Sequence, residues 1–160
     1  MKLSEINIKN FGCIGNEGLS IKIDNIVVLI GANNSGKSTV LEAYEAFQTG
    51  NAQNITAFHN EKENNAIEIT GIFSELTDYD VKLIGSKWNF NHSKYGEVIK
   101  YKWKWEKVNE KGVKFSWNNE IGEWIEGGMG GWDTKIASCI PLPLKINPYD
   151  SPESTEKKII

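Results

Sequence analysis

Arginine is absent from the sequence, and all 18 basic residues are lysines. Arginine supplies the rigid, bidentate fork with which many proteins clamp phosphates and carboxylates. An arginine finger therefore comes from another chain or is not used at all, and a small-molecule kinase that clamps its second phosphate group with arginines is not predicted. The formal charge of −3 and the pI near 5.5 argue against a constitutively basic nucleic-acid-binding module.

Cysteine is also scarce, with Cys13 and Cys139 far apart in the chain. Two thiols without neighbours at metal-binding spacing predict no disulfide framework and no metal site built on cysteine, so we expect a reduced, cytoplasmic setting. Cys13 is predicted to be a small buried residue. The longest apolar run, Ile26–Ile30, is too short to cross a bilayer, and the first residues do not resemble a signal peptide. No contact with a membrane is predicted.

The first 50 residues predict three strands, a loop and a helix. Apolar residues alternate within 2–9 and 19–23, as in half-buried strands. Residues 25–30 are a continuous β-branched run and predict a strand buried on both faces. From Lys37 the apolar period becomes helical, and the helix is expected to end at Thr49-Gly50.

The later part of the chain changes in composition, because all six tryptophans lie between residues 88 and 132. The predicted elements after residue 48 are, in order, a polar loop at 49–65, a strand at 66–73, a short helix capped by Thr77 and Asp80, a hairpin of 97–108 and 113–117, and a tail that contains all four prolines. His59 and His92 have no neighbours of metal-binding type and are predicted to be surface residues.

One motif carries chemistry. Residues 31–38, Gly-Ala-Asn-Asn-Ser-Gly-Lys-Ser, match the phosphate-binding pattern G-x-x-x-x-G-K-[ST] between a predicted strand and a predicted helix, which is the required context. The loop N–H groups would cradle phosphate oxygens, Lys37 would reach the β- and γ-phosphates, and the Ser38 hydroxyl would bind Mg²⁺. The candidate ATP-binding residues are Gly31, Asn33, Asn34, Ser35, Gly36, Lys37, Ser38 and Thr39, with Ser38 as the metal ligand. ATP and Mg²⁺ are the predicted cofactors, and the lack of a guanine-specific N-K-x-D motif argues against a GTPase.

Residues 3–11, the second predicted strand and residues 28–39 resemble the N-terminal lobe of ABC-type DNA-repair ATPases of the RecF/SMC kind. The resemblance is strongest to the OLD family of ATP-dependent endonucleases, many of which act in phage defence. Residues 67–77 and 142–148 are similar to the strand-then-helix and the proline-rich strand that this family places later in the chain. The resemblance implies an α/β fold, a P-loop NTPase core of ABC type with an antiparallel β-subdomain, forming an incomplete N-terminal lobe.

This sequence departs from the family pattern at several points. Gly12 stands where the family often has an arginine that approaches the nucleotide. The family's Q-loop glutamine is assigned to Gln53, since Gln48 falls on the predicted helix. There is no Walker B Asp-Glu after an apolar run, no Leu-Ser-Gly-Gly signature and no counterpart of the carboxylate-rich Toprim nuclease domain. The catalytic residues therefore stay unassigned.

These observations predict one P-loop ATPase-type domain over 1–160, divided into 1–50, 51–87, 88–132 and 133–160. The expected function is ATP binding by the first part of an OLD-like, DNA-acting nuclease, with hydrolysis requiring an acid from outside this chain. The expected partners are ATP, a second ATPase head in a homodimer or larger assembly, and DNA through the complete protein. The alternative is a stand-alone nucleotide-sensing or protein-interaction module that binds ATP without turnover.

The hairpin segment Lys100–Trp105 leaves two interpretations open. Strand alternation places Tyr101, Trp103 and Trp105 on one face and three lysines on the other. The face could be a basic, aromatic surface for DNA. We favour a packed wall, with aromatic residues inside and lysines that discourage edge pairing, because nearby glutamates dilute the positive charge.

Overall fold

The computed structural model describes residues 1–129 and 133–141. Within these residues the chain forms one seven-stranded antiparallel sheet, three α-helices and three short 3-10 helices. The strands are β1 (Lys2–Lys9), β2 (Leu19–Lys22), β3 (Ile67–Ser74), β4 (Asn89–His92), β5 (Gly96–Trp105), β6 (Val113–Asn118) and β7 (Glu123–Glu126), and the helices are α1 (Lys37–Thr49), α2 (Asp78–Ile84) and α3 (Asp133–Ser138).

The sheet places its strands in the order β2-β1-β3-β5-β6-β7, with β4 paired to the first residues of β5. All neighbouring strands are antiparallel. Pairing of β1 with β3 joins distant parts of the chain, as Ile8 lies opposite Ile69. The α/β fold with an antiparallel sheet agrees with the expectation from the sequence.

Helix α1 packs on one face of this sheet and builds the core. Phe47 of α1 stacks on Tyr101 at 5.0 Å between ring centroids, and Phe73 stacks on the same ring at 5.5 Å. Trp105 is also buried, and its indole N–H donates a 2.8 Å hydrogen bond to the carbonyl of Asn51. Aromatic residues of β5 therefore form part of the core, as the packed-wall interpretation requires.

The segment 25–30 departs from the prediction. It forms no β-ladder with the described residues, and the exposed fractions of Ile26, Val28 and Ile30 are 81%, 70% and 91%. The prediction of a strand buried on both faces is wrong for the described residues, because no other strand lies beside it. Its β-branched composition is that of a buried strand, but burial needs neighbours that local composition cannot supply.

Helix α2 begins as predicted, because Thr77 and Asp80 form a reciprocal capping box. Strands β4 and β7 and helix α3 were not predicted. The proline-rich stretch 142–148 and the rest of the tail lie outside the described residues. Nowhere in 1–129 or 133–141 does a helix have the length and apolar character that spanning a bilayer requires.

Candidate functional site

The loop 31–36 leads directly into α1 and leaves the start of the helix open. Gly36 occupies the N-cap position with φ +86°, a backbone conformation that favours glycine. No side chain caps the helix, and its first turn contains no acidic residue. The first N–H groups of α1 and the positive end of its dipole are therefore available to an anion.

Lys37 curls back over this loop. Its ammonium donates hydrogen bonds to the carbonyl oxygens of Gly31 at 2.8 Å and Ala32 at 2.6 Å, and to the Ser35 hydroxyl at 3.3 Å. The ammonium is thus held by three atoms of the loop that leads into the open N-terminus of α1. This arrangement suits a polyphosphate, whose oxygens would be attracted by both the ammonium and the amides.

A groove of about 460 Å³ lies between the exposed segment and α1. Its lining residues are Val27, Val28, Leu29, Lys37, Ser38 and Leu41. The side chain of Ser38 is exposed at this groove. No group of three His, Cys, Asp or Glu residues within the described chain could hold a metal ion. A Mg²⁺ ion at Ser38 would therefore take its other ligands from phosphate oxygens and water, which is how proteins commonly hold this ion.

Gln53 is not brought to the phosphate loop. It lines a separate cavity of about 720 Å³ along the C-terminal half of α1, together with Gln48, Asn51 and Thr49. The side-chain amide of Gln53 donates to the backbone carbonyl of Asn51, and the backbone carbonyl of Gln53 accepts from the backbone N–H of Asn109. The second contact joins the polar loop to the turn of the hairpin, and neither contact supports a Q-loop role of Gln53.

The turn between β1 and β2 lies against the phosphate loop, which sequence reasoning missed. The Cys13 thiol is 3.5 Å from the Thr39 hydroxyl, and Cys13 is exposed, so the prediction of a buried cysteine is wrong. A Cβ atom on Gly12 would lie 2.8 Å from the Thr39 methyl group. The absence of a side chain at position 12 therefore allows the turn to approach α1 closely.

The opposite face of the hairpin carries lysines between aromatic rings. The Lys100 ammonium lies 4.0 Å from the centre of the Trp117 ring and 5.3 Å from that of Trp124. Lys102 is 4.7 Å from the Trp124 ring centre and forms a 2.9 Å ion pair with Glu68. Burial, and then the charge of Lys102, lower the pKa of Lys100. These lysines cover rings of the same chain, which favours a structural role for this face.

Comparison with solved structures supports the fold. One similar chain comes from work on ATP-driven dimerization and DNA-stimulated activation of SMC ATPases, with a TM-score of 0.51 and 16% sequence identity. The match covers 87% of this chain and 77% of that chain. A comparison with curated proteins gives no match.

A protein-family model identifies the family of the chain. The model for the AAA ATPase domain matches residues 1–124, which include the whole phosphate loop, α1 and the strands up to β6. The SMC-like fold agrees with this match. The chain belongs to the AAA ATPase domain family, and its fold is similar to that of an SMC ATPase.

Proposed function

We propose that this chain binds Mg·ATP through residues 31–39 as the N-terminal segment of an OLD-like, DNA-acting ATP-dependent nuclease. The observation that carries ATP binding is the Lys37 ammonium, held by Gly31 and Ala32 of the loop that leads into the uncapped N-terminus of α1. Lys37 and the loop amides would bind the β- and γ-phosphates, and Ser38 would bind Mg²⁺. Such a site has charge and N–H donors for phosphate without any arginine.

Hydrolysis requires a group that the described residues do not place. The phosphate loop positions phosphates and metal, but turnover also needs a residue that orients the attacking water. The exposed apolar row of Ile26, Val28 and Ile30 supports completion of the head by further strands, since exposing apolar side chains to water is unfavourable in free energy. We propose that these strands carry the acid, and that two heads pair in the complete assembly.

A stand-alone nucleotide-sensing module is the second candidate. The lack of a Walker B Asp-Glu after an apolar run in this sequence favours binding without turnover. Both candidates share the phosphate site, and they differ in whether an added segment restores hydrolysis.

The first prediction concerns Lys37→Ala. Removal of the ammonium leaves phosphate charge unpaired, so we expect ATP affinity to fall by about ten- to a hundredfold in calorimetric titration with Mg²⁺. Lys22→Ala, which removes an exposed lysine of β2, is the matched control and is expected to bind like wild type. Equal affinities of wild type and Lys37→Ala would contradict ATP binding through Lys37. Turnover by the isolated chain that Lys37→Ala abolishes would contradict the proposal that hydrolysis needs a group from outside this chain.

A further inference from the structure

The β1–β2 turn, defined here as residues 10–15, is held between the phosphate loop and the polar segment that follows α1. On one side Cys13 contacts Thr39 at 3.5 Å, and its sulfur would lie 2.9 Å from a Cβ atom on Gly36. Gly36 and Thr39 flank Lys37 and Ser38 in sequence. The turn therefore touches the phosphate loop on both sides of the two residues assigned to phosphate and Mg²⁺.

The phosphate loop has little other support from its N-terminal side. Residues 25–30 lead into it without a β-ladder among the described residues, and most of their side chains are exposed. The position of the loop therefore depends on α1 and on the β1–β2 turn. A displacement of the turn would move the loop amides relative to the helix.

On its other side the turn is fastened to residues 57–59. The Gly12 N–H donates to the carbonyl of Ala57 at 2.7 Å, and the His59 N–H donates to the carbonyl of Asn10 at 3.0 Å. The His59 ring adds a side-chain contact, because its Nδ1 lies 2.9 Å from the Gly12 carbonyl oxygen. A carbonyl oxygen only accepts, so Nδ1 carries the proton in this hydrogen bond.

His59 also limits the turn sterically. A Cβ atom on Gly15 would lie 3.3 Å from the His59 Nε2 atom, so the ring packs flush against the turn. Beside it, Phe11 and Phe58 pair through a β-bridge and are both buried. The ring is thus held against the turn by its hydrogen bond to Gly12 and its contact with Gly15, and it follows the buried Phe58 in the chain.

We propose that His59 is a positioning residue of the nucleotide site, acting through Gly12 and Cys13 on the phosphate loop. This inference rests on the proposed ATP binding. Because the turn touches Gly36 and Thr39, the effect falls on binding of the phosphate chain itself. Free tripolyphosphate and ATP are therefore expected to respond alike.

The test compares two replacements of His59 in a Cys139→Ser background. His59→Leu replaces the imidazole with an apolar side chain and so removes the donor, whereas the amide of His59→Asn can donate to the Gly12 carbonyl from the place of Nδ1. In calorimetric titration we expect His59→Leu to lower the affinity for Mg·ATP and for Mg·tripolyphosphate by about tenfold. The affinities of His59→Asn are expected to remain within about threefold of the wild-type values. His92→Leu, at the other histidine, is the matched control and is expected to leave both affinities unchanged.

Alkylation of Cys13 by N-ethylmaleimide supplies a readout that a purely structural role of His59 would not change. Mg·ATP is expected to slow alkylation in the wild-type turn. His59→Leu is expected to raise the rate severalfold without ligand and to reduce the protection by Mg·ATP. If His59→Leu does not fold, as judged by circular dichroism, Gly12→Ala is used instead, because it displaces the turn from Thr39 directly. Gly12→Ala is expected to lower the affinity for both Mg·ATP and Mg·tripolyphosphate.

The outcomes separate this inference from the proposed function. Equal ATP binding by wild type and Lys37→Ala would mean that the proposed function has failed. Weak binding by Lys37→Ala together with wild-type affinity and wild-type Cys13 reactivity in folded His59→Leu would overturn the role of His59 alone. Equal losses in His59→Asn and His59→Leu would also overturn it, because the hydrogen bond would then make no contribution.

Discussion

The carboxylate of Asp80 joins three parts of the chain at the start of α2. It accepts a 2.9 Å hydrogen bond from the Thr77 N–H, and it lies 3.4 Å from the Lys135 ammonium and 3.5 Å from the amino group of Met1. Burial alone would raise the pKa of Asp80, but hydrogen bonds from Thr77 and Lys135 and the nearby amino group lower it to about 2. The charged form is therefore stabilised in the folded state.

Asp80→Asn is expected to destabilise the fold in a pH-dependent way. A pKa lowered from about 4 to about 2 corresponds to about 2 kcal/mol of unfolding free energy. Because the folded pKa is the lower one, this contribution is complete above about pH 4 and is lost as the pH falls towards 2. Urea unfolding at several pH values is expected to show a deficit of about 2 kcal/mol for Asp80→Asn at pH 7, which disappears near pH 2.

Asp78 provides the control for that experiment, because it lies in the same helical turn but is exposed. Asp78→Asn removes the same charge from the helix N-terminus without breaking the capping box, so a loss of less than about 1 kcal/mol is expected. A similar deficit in the two variants would show that only the helix dipole matters.

Single residues show which features a sequence can predict. The capping box of Thr77 and Asp80 was predicted, because both partners lie within four residues and their pattern is local. The hydrogen bond of His59 to Gly12 was not, because the partners are distant in sequence and a histidine in a polar loop carries no signal of its own. His59 was predicted to lie on the surface, but it is partly buried against the β1–β2 turn.

At the scale of elements, the hairpin is expected to depend on the stems of its lysines. Lys100 lies over the rings of Trp117, Trp124 and Phe90. Lys100→Ser removes both packing and charge and is expected to cost about 1–2 kcal/mol of unfolding free energy, whereas Lys100→Met keeps the stem and is expected to recover much of the loss. Chemical denaturation of the two variants measures the difference.

The same variants test the DNA interpretation of this face. If the lysines cover the rings, the slope of log DNA affinity against log salt is expected to be the same in Lys100→Ser and wild type. A lysine that contacts phosphate would instead lower that slope by about 1 unit. A lower slope with unchanged stability would favour DNA binding over the structural role.

Sequence patterns predicted some strands and helices correctly and failed for others. The strand at 66–73 and the helix from Lys37 agree with β3 and α1, because their apolar faces meet partners within the described chain. The run at 25–30 has the same kind of signal but no such partner. The packing of the β6 and β7 rings against the lysine face was also missed, because β7 itself was not predicted. The register of β7 on β6 places Trp124 opposite Trp117.

For the molecule as a whole, the exposed apolar row at 25–30 predicts that two isoleucines contribute very differently to the unfolding free energy. Ile30 is 91% exposed, whereas Ile69 of β3 is fully buried. Ile30→Thr is expected to change the unfolding free energy by less than about 0.5 kcal/mol, and Ile69→Thr to lower it by about 2–4 kcal/mol. Urea unfolding with a common baseline measures both, and a large loss in Ile30→Thr would show that segment 25–30 is packed in solution.

The pairing of β1 with β3 has a consequence for the order in which the protein is made. A ribosome releases β1, the phosphate loop and α1 before it has synthesised β3, the strand that lies beside Ile6 and Ile8 in the finished sheet. The meander of β4, β5, β6 and β7 needs only short loop closures and is expected to form quickly. Strand β1 can pair early only with the short strand β2, and its other edge is completed when β3 has been made. The nucleotide site is therefore expected to be translated before β3 but to become ordered only after β3 has joined the sheet.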